Sequence, residues 1–216
     1  AGQKNFDQAV ESLETGGSPQ AELTNMFQLH AALINELGGR TEAAEKNYRT
    51  VLTGESPSLR TVLAAGRFFE RTGRPGEAES IYQRFTERSA DPIYVQVDIA
   101  RARAKGTAPQ PIAKASDGMA EALFDLASAL QSDRTGDLAQ IYVQSAMLLR
   151  PNYPAAKLLL GSLLESEQRY AEANAAYEAA GSDATYGWSA KLHIASRSEE
   201  HTSELQSHLN LVCRLL

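Results

Sequence analysis

The feature that most constrains the fold is a spacing of 34 residues that recurs along the chain. Residue pairs that show it include Ala44 and Ala78, Tyr48 and Tyr82, Ala127 and Gly161, and Ala139 and Ala173. A period of this length, with two amphipathic helices per unit, is typical of helical solenoids, in which each unit buries its apolar face by stacking on the next. We therefore predict an all-α fold, an α-solenoid of antiparallel helix pairs.

The residues at this period resemble the pattern of the tetratricopeptide repeat family, which has a small residue after an apolar one in its first helix and an Ala and an aromatic residue in its second. The unit near 59–92 carries the pattern on Val62, Ala65, Gly66, Phe69, Ala78, Tyr82 and Phe85. The resemblance implies further units near 25–58, 120–153 and 154–185. It implies Ala and Gly at close helix crossings, where bulk would force the helices apart, and aromatic residues between units.

One interruption divides the predicted array. Asp91 and Pro92 can begin a helix that Gly106 ends, since proline is tolerated in a first turn. We predict a lone helix at 91–105, followed by a Pro-containing linker at 106–116 in place of a second helix. The linker either lies across the stack and covers its apolar surface, or separates two sub-arrays.

The predicted organisation is then a first repeat sub-array at 1–105 and a second at 117–196. Partial units complete both: residues 1–14 read as a second helix, and residues from 186 as a first helix. The chain enters helical periodicity directly at Ala1. We therefore expect it to be a fragment of a longer protein.

The C-terminal end of the sequence has a different character. Residues 197–208 resemble the translation of a common short-read sequencing adapter. We interpret 197–216 as a non-native tail and leave it out of functional reasoning. This segment holds the single cysteine, Cys213, so cysteine usage says nothing about the redox compartment.

Charge and composition exclude several classes of function. The net charge is −6, which argues against nucleic acid or an anionic membrane surface as the main partner, because both require clustered Lys and Arg. No apolar run approaches the roughly 18 residues of a membrane span. The sequence contains no His-Glu-x-x-His or Gly-rich phosphate loop, and His30 and His193 are far apart. We therefore predict no enzymatic activity, no cofactor and no metal.

The remaining hypothesis is binding of a protein or peptide by a non-enzymatic scaffold. In the resembled family, one known binding mode holds the acidic C-terminal tails of heat-shock chaperones with Lys and Asn residues of successive first helices. The corresponding faces of this chain lack those residues. The first-helix faces are apolar with positive charges, which suits a peptide with apolar anchors and an acidic flank. The residues that we predict to bind it are Leu63, Arg67, Phe124, Arg60 and Leu158. Burial of these leucines between helices is the structural alternative.

A second hypothesis is that the repeats form the regulatory or docking arm of a larger enzyme whose catalytic domain lies outside this chain. The sequence texture resembles bacterial members of the family, some of which are exported. The compartment, bacterial cytoplasm or periplasm, stays open, as does the oligomeric state.

Overall fold

The structure, a computed structural model, describes residues 5–15, 21–54, 57–89, 92–131 and 135–197. Every regular element in these ranges is helical: α1 (Phe6–Thr15), α2 (Ala21–Leu37), α3 (Thr41–Leu52), α4 (Leu59–Arg71), α5 (Pro75–Arg88), α6 (Gln96–Arg103) after a 3-10 turn (Pro92–Val95), α7 (Ala115–Ala129), α8 (Gly136–Leu149), α9 (Pro154–Ser166), α10 (Tyr170–Ala180) and α11 (187–197). Helices that follow one another pack together, α2 on α3, α4 on α5 and α9 on α10. The predicted all-α class is confirmed.

The chain forms two compact units. The first comprises the described residues up to Leu126 together with Leu148–Arg150, and the second comprises Ala127–Met147 and the described residues from Pro151 onward. None of the described helices is long and apolar enough to cross a membrane.

Close helix crossings are built on glycine, as the sequence predicts. Gly66 of α4 lies under the Tyr82 ring of α5, where an added Cβ would come within 2.3 Å of the ring. Gly161 of α9 lies under Tyr177 of α10, with a corresponding approach of 2.5 Å. No real side chain tolerates such distances, so the absence of Cβ at these two positions allows each tyrosine to pack.

The turns inside the helix pairs share one geometry. Gly39 and Gly73 have φ angles of +70° and +79°, in the left-handed region that favours glycine. The amide of the following residue then donates back to the last turn of the helix, Arg40 N to Asn35 O at 2.8 Å in the first case. In α9–α10 the same position is Gln168, with φ of 62°.

The interrupted region is helical where predicted, with shifted bounds. A 3-10 turn at Pro92–Val95 leads into α6, and the left-handed residue that ends it is Lys105 (φ 53°). Residues 106–114 contain no helix, as expected of the linker. The predicted adapter-derived tail lies outside the described residues except for Arg197, the last residue of α11.

Candidate binding surfaces

One face of α4 carries most of the predicted peptide-binding residues. Arg60, Leu63, Arg67 and Arg71 are three or four residues apart, so they share a single helix face. Leu63 is only 4% exposed. Leu63 therefore presents little surface in this arrangement.

Arg67 is paired with a residue of α6. Its Nε donates to Asp98 Oδ1 of α6 at 2.7 Å, and the Asp98 side chain is fully buried. Arg101, one turn along α6, also contacts Asp98 and makes two hydrogen bonds of 2.8 Å to Glu70 of α4. The Arg67 charge, which the sequence analysis assigned to ligand binding, is thus paired with the buried carboxylate of Asp98.

Residues 106–125, which we call the covering segment, contact both ends of the α4 face. At one end Arg71 Nη1 donates to the Pro109 carbonyl at 2.5 Å. Ala108 and Ile112 of the same stretch are each 3% exposed. These linker residues therefore pack within the first unit.

At the other end, the middle of α7 supplies the partners of Arg60. Its guanidinium pairs with Glu121 and Asp125 and lies over the Phe124 ring, 4.9 Å from the ring centroid. Phe124 is 8% exposed. Glu121 also accepts a hydrogen bond from Arg150 at 2.6 Å. The predicted binding residues Arg60 and Phe124 thus contact each other.

His30 of α2 joins the same cluster. Its Nε2 lies 2.9 Å from Asp125 Oδ2. Burial, and then the nearby Arg60 charge, lowers the pKa of His30 from 6.5 to about 4. The imidazole is therefore neutral near pH 7, and it packs between helices rather than facing an open site.

The fifth predicted residue, Leu158, lies in the other unit. It is half-buried and packs against the core formed by Leu164, Tyr177 and Ala190. The structure thus brings four of the five predicted residues to one region of the first unit and leaves Leu158 apart. Their role in peptide binding stays a prediction.

An open groove in the first unit is formed by residues of α3 and α5, with two residues of α4. Its volume is about 1410 Å³, and it is lined by Arg49, Leu52, Thr53, Gly54, Pro57, Val62, Phe69, Gly76, Glu77, Ser80, Ile81, Arg84, Phe85, Arg88 and Ser89. We call it the α3–α5 groove. Buried Val62, Phe69 and Ile81 form an apolar floor. Sequence reasoning missed it, because Phe85 was assigned to the repeat core, whereas it is half-buried at the groove.

Arginines dominate the charge of the α3–α5 groove. Arg49 is fixed by Glu45 and Glu77 at 2.7 and 2.8 Å, and its guanidinium stacks on Phe69. Arg84 and Arg88 are exposed and one turn apart on α5. Glu77 is the only acidic residue among the described lining residues.

The described residues contain no group of three or more His, Cys, Asp or Glu side chains that could hold a metal ion. No known protein family matches the chain in a scan of family sequence profiles, and no curated protein matches it in sequence.

Proposed function

We propose that this chain is a repeat array of the tetratricopeptide type, of bacterial origin, that binds a protein or peptide partner without catalysing a reaction. The observation that carries the proposal is the recurrence of one packing unit: a helix pair in which a glycine admits a tyrosine ring, as at Gly66–Tyr82 and Gly161–Tyr177. Arrays built from such units present extended surfaces, and these surfaces are what repeat proteins use for binding.

The contacts of the buried charged side chains in the first unit support a binding function rather than catalysis. In the first unit Asp98, Glu70, Glu121 and Asp125 are all engaged with arginines that join neighbouring helices. His30 is buried beside Asp125 and neutral near pH 7. These groups stabilise helix packing, and a catalytic acid or base would instead need access to a substrate.

Selection from a random peptide display library against the purified full chain tests the proposal. We expect related sequences to be enriched, and the corresponding synthetic peptides to bind with a Kd of about 1 to 100 μM, which is usual for short segments on preformed surfaces. Chain denatured before immobilisation is the control. Enrichment no greater than on the denatured chain would refute the proposal.

A further inference from the structure

We infer that the α3–α5 groove binds a short, extended, acidic peptide segment with apolar anchors, an inference that rests on the proposed function. The pattern of the resembled family predicts peptide binding on the first-helix faces. The α4 face, however, is contacted at both ends by the covering segment. Most lining residues of the α3–α5 groove instead come from the second helices α3 and α5.

The shape of the groove indicates an extended segment. On α5 its lining residues Glu77, Ile81, Arg84 and Arg88 follow one another at helical spacing, so one face of this helix forms a wall. At 1.5 Å rise per residue this wall is about 16 Å long. An extended chain advances about 3.3 Å per residue, so a segment of about five residues spans the groove.

The half-buried Leu52 and Phe85 account for the apolar anchors. The floor residues Val62 and Phe69 are 1% and 0% exposed, so they offer almost no surface of their own to a peptide. Aliphatic side chains of a peptide in the groove would remove the apolar area of Leu52 and Phe85 from water, which is favourable. This area is too small for a stable protein interface but suits a short segment.

The charge of the groove selects acidic flanks. Its described lining residues include three arginines and one glutamate, in a chain whose net charge is −6. Arg84 makes only a 3.4 Å hydrogen bond, to the Ser80 carbonyl in its own helix, and no ion pair within the described residues. A carboxylate placed beside Arg84 would be attracted by its guanidinium group.

Fluorescence anisotropy with labelled synthetic peptides tests the inference on the full chain. The probe has two leucines flanked by glutamates, and its comparison peptide replaces the glutamates with glutamines. We expect the acidic probe to bind at least about 10-fold more tightly at low salt, and the difference to shrink at high salt because exposed charges are screened. Equal binding of the two peptides would overturn the inference.

Charge reversal of two groove arginines tests whether the peptide binds in the α3–α5 groove. The double variant Arg84→Glu/Arg88→Glu should weaken binding of the acidic probe by about 10-fold or more. Lys157→Glu/Lys191→Glu, in the other unit, changes the net charge equally and should have a much smaller effect. Equal losses in the two variants would mean long-range repulsion rather than a site in the groove, and would overturn the inference.

Two further outcomes separate this inference from the proposed function. Display-selected peptides that bind equally well to the wild-type chain and to Arg84→Glu/Arg88→Glu would overturn the groove while leaving the binding function standing. Failure of the display selection itself would overturn both. Sedimentation of the chain alone tests whether a second copy of the chain occupies the groove instead of a peptide. Self-association that is lost in Arg84→Glu/Arg88→Glu would show that it does.

Discussion

The helix pairs α4–α5 and α9–α10 are built on the same contacts but secured differently. In both, a glycine admits a tyrosine ring, and the tyrosine hydroxyl donates to a glutamate twelve residues earlier, Tyr82 to Glu70 at 2.7 Å and Tyr177 to Glu165 at 2.6 Å. Burial raises the pKa of both phenols above their usual range, so each stays a donor.

The difference lies in what the next helix supplies. Glu70 has a side chain that is 0% exposed, and it receives two hydrogen bonds from Arg101. Glu165 is 27% exposed, and it has His193 Nδ1 at 3.3 Å and Arg197 Nε at 3.5 Å. The Gly–Tyr–Glu contact is thus present in both helix pairs, whereas the additional partners of the glutamate come from the helix that follows each pair.

The largest expected effect comes from neutralising the two glutamates. Glu70→Gln should lower the free energy of unfolding by about 3 kcal/mol, because it breaks a buried ion pair. This is the low end of the usual range of about 3 to 5 kcal/mol, because Arg101 keeps its second carboxylate partner, Asp98. Glu165→Gln should cost at most about 1 kcal/mol, since its partners are more exposed. Native-state hydrogen exchange of α5 and α10 amides measures each pair separately.

The exposed Glu79 provides a control for this comparison. It pairs with Arg103, whose side chain is 61% exposed, so Glu79→Gln should change stability by less than about 0.5 kcal/mol. Equal losses for Glu70→Gln and Glu165→Gln would show that the neighbouring helix does not set the strength of the contact.

The next effect tests what the two pairs share. Gly66→Ala and Gly161→Ala each place a Cβ within 2.5 Å of a tyrosine ring, and each should cost about 1 to 3 kcal/mol through overpacking. Gly76→Ala is the matched control, because an added Cβ there meets nothing within 4 Å. It should leave stability unchanged or raise it by up to about 1 kcal/mol, as helix propensity predicts. Chemical denaturation monitored by circular dichroism measures all three.

The last expected effect concerns the turns. Gln168 adopts the left-handed conformation that Gly73 has in α4–α5, and a side chain there costs roughly 1 to 2 kcal/mol. Gln168→Gly should therefore stabilise the α9–α10 pair by about 1 kcal/mol, and Gly73→Gln should destabilise α4–α5 by a similar amount. Thermal melts of the two variants measure both changes, and a destabilising Gln168→Gly would mean that the Gln168 side chain contributes contacts of its own.

The repeat was predictable from sequence because it depends on local residue types at a fixed interval. Ala44, Ala78, Tyr48 and Tyr82 are all fully buried, as the period indicated. The Tyr–Glu contact was also detectable in principle, since Glu36 and Glu70 are one period apart and Tyr48 donates to Glu36 at 2.8 Å. It was overlooked because glutamates on helices usually face solvent.

The placement of the covering segment was not predictable in the same way. The contact of His30 with Asp125, and those of Arg60 with Glu121 and Asp125, join residues that no repeat interval relates. A Pro-containing linker can follow several backbone paths, and the path that it takes depends on packing against residues far away in the sequence. The candidate groove was missed for a related reason: it is formed jointly by α3 and α5, so neither helix shows it alone.

The covering segment also has a consequence for the order of folding. Repeat arrays fold quickly because their contacts are local in sequence, whereas the contact of α7 with α2 closes a long loop and has to wait for both ends. We expect α2 to α5 to assemble first and the covering segment to dock late. Contacts formed after the rate-limiting step act mainly on unfolding. His30, Arg60 and Asp125 should therefore govern how long the first unit stays folded more than how fast it folds.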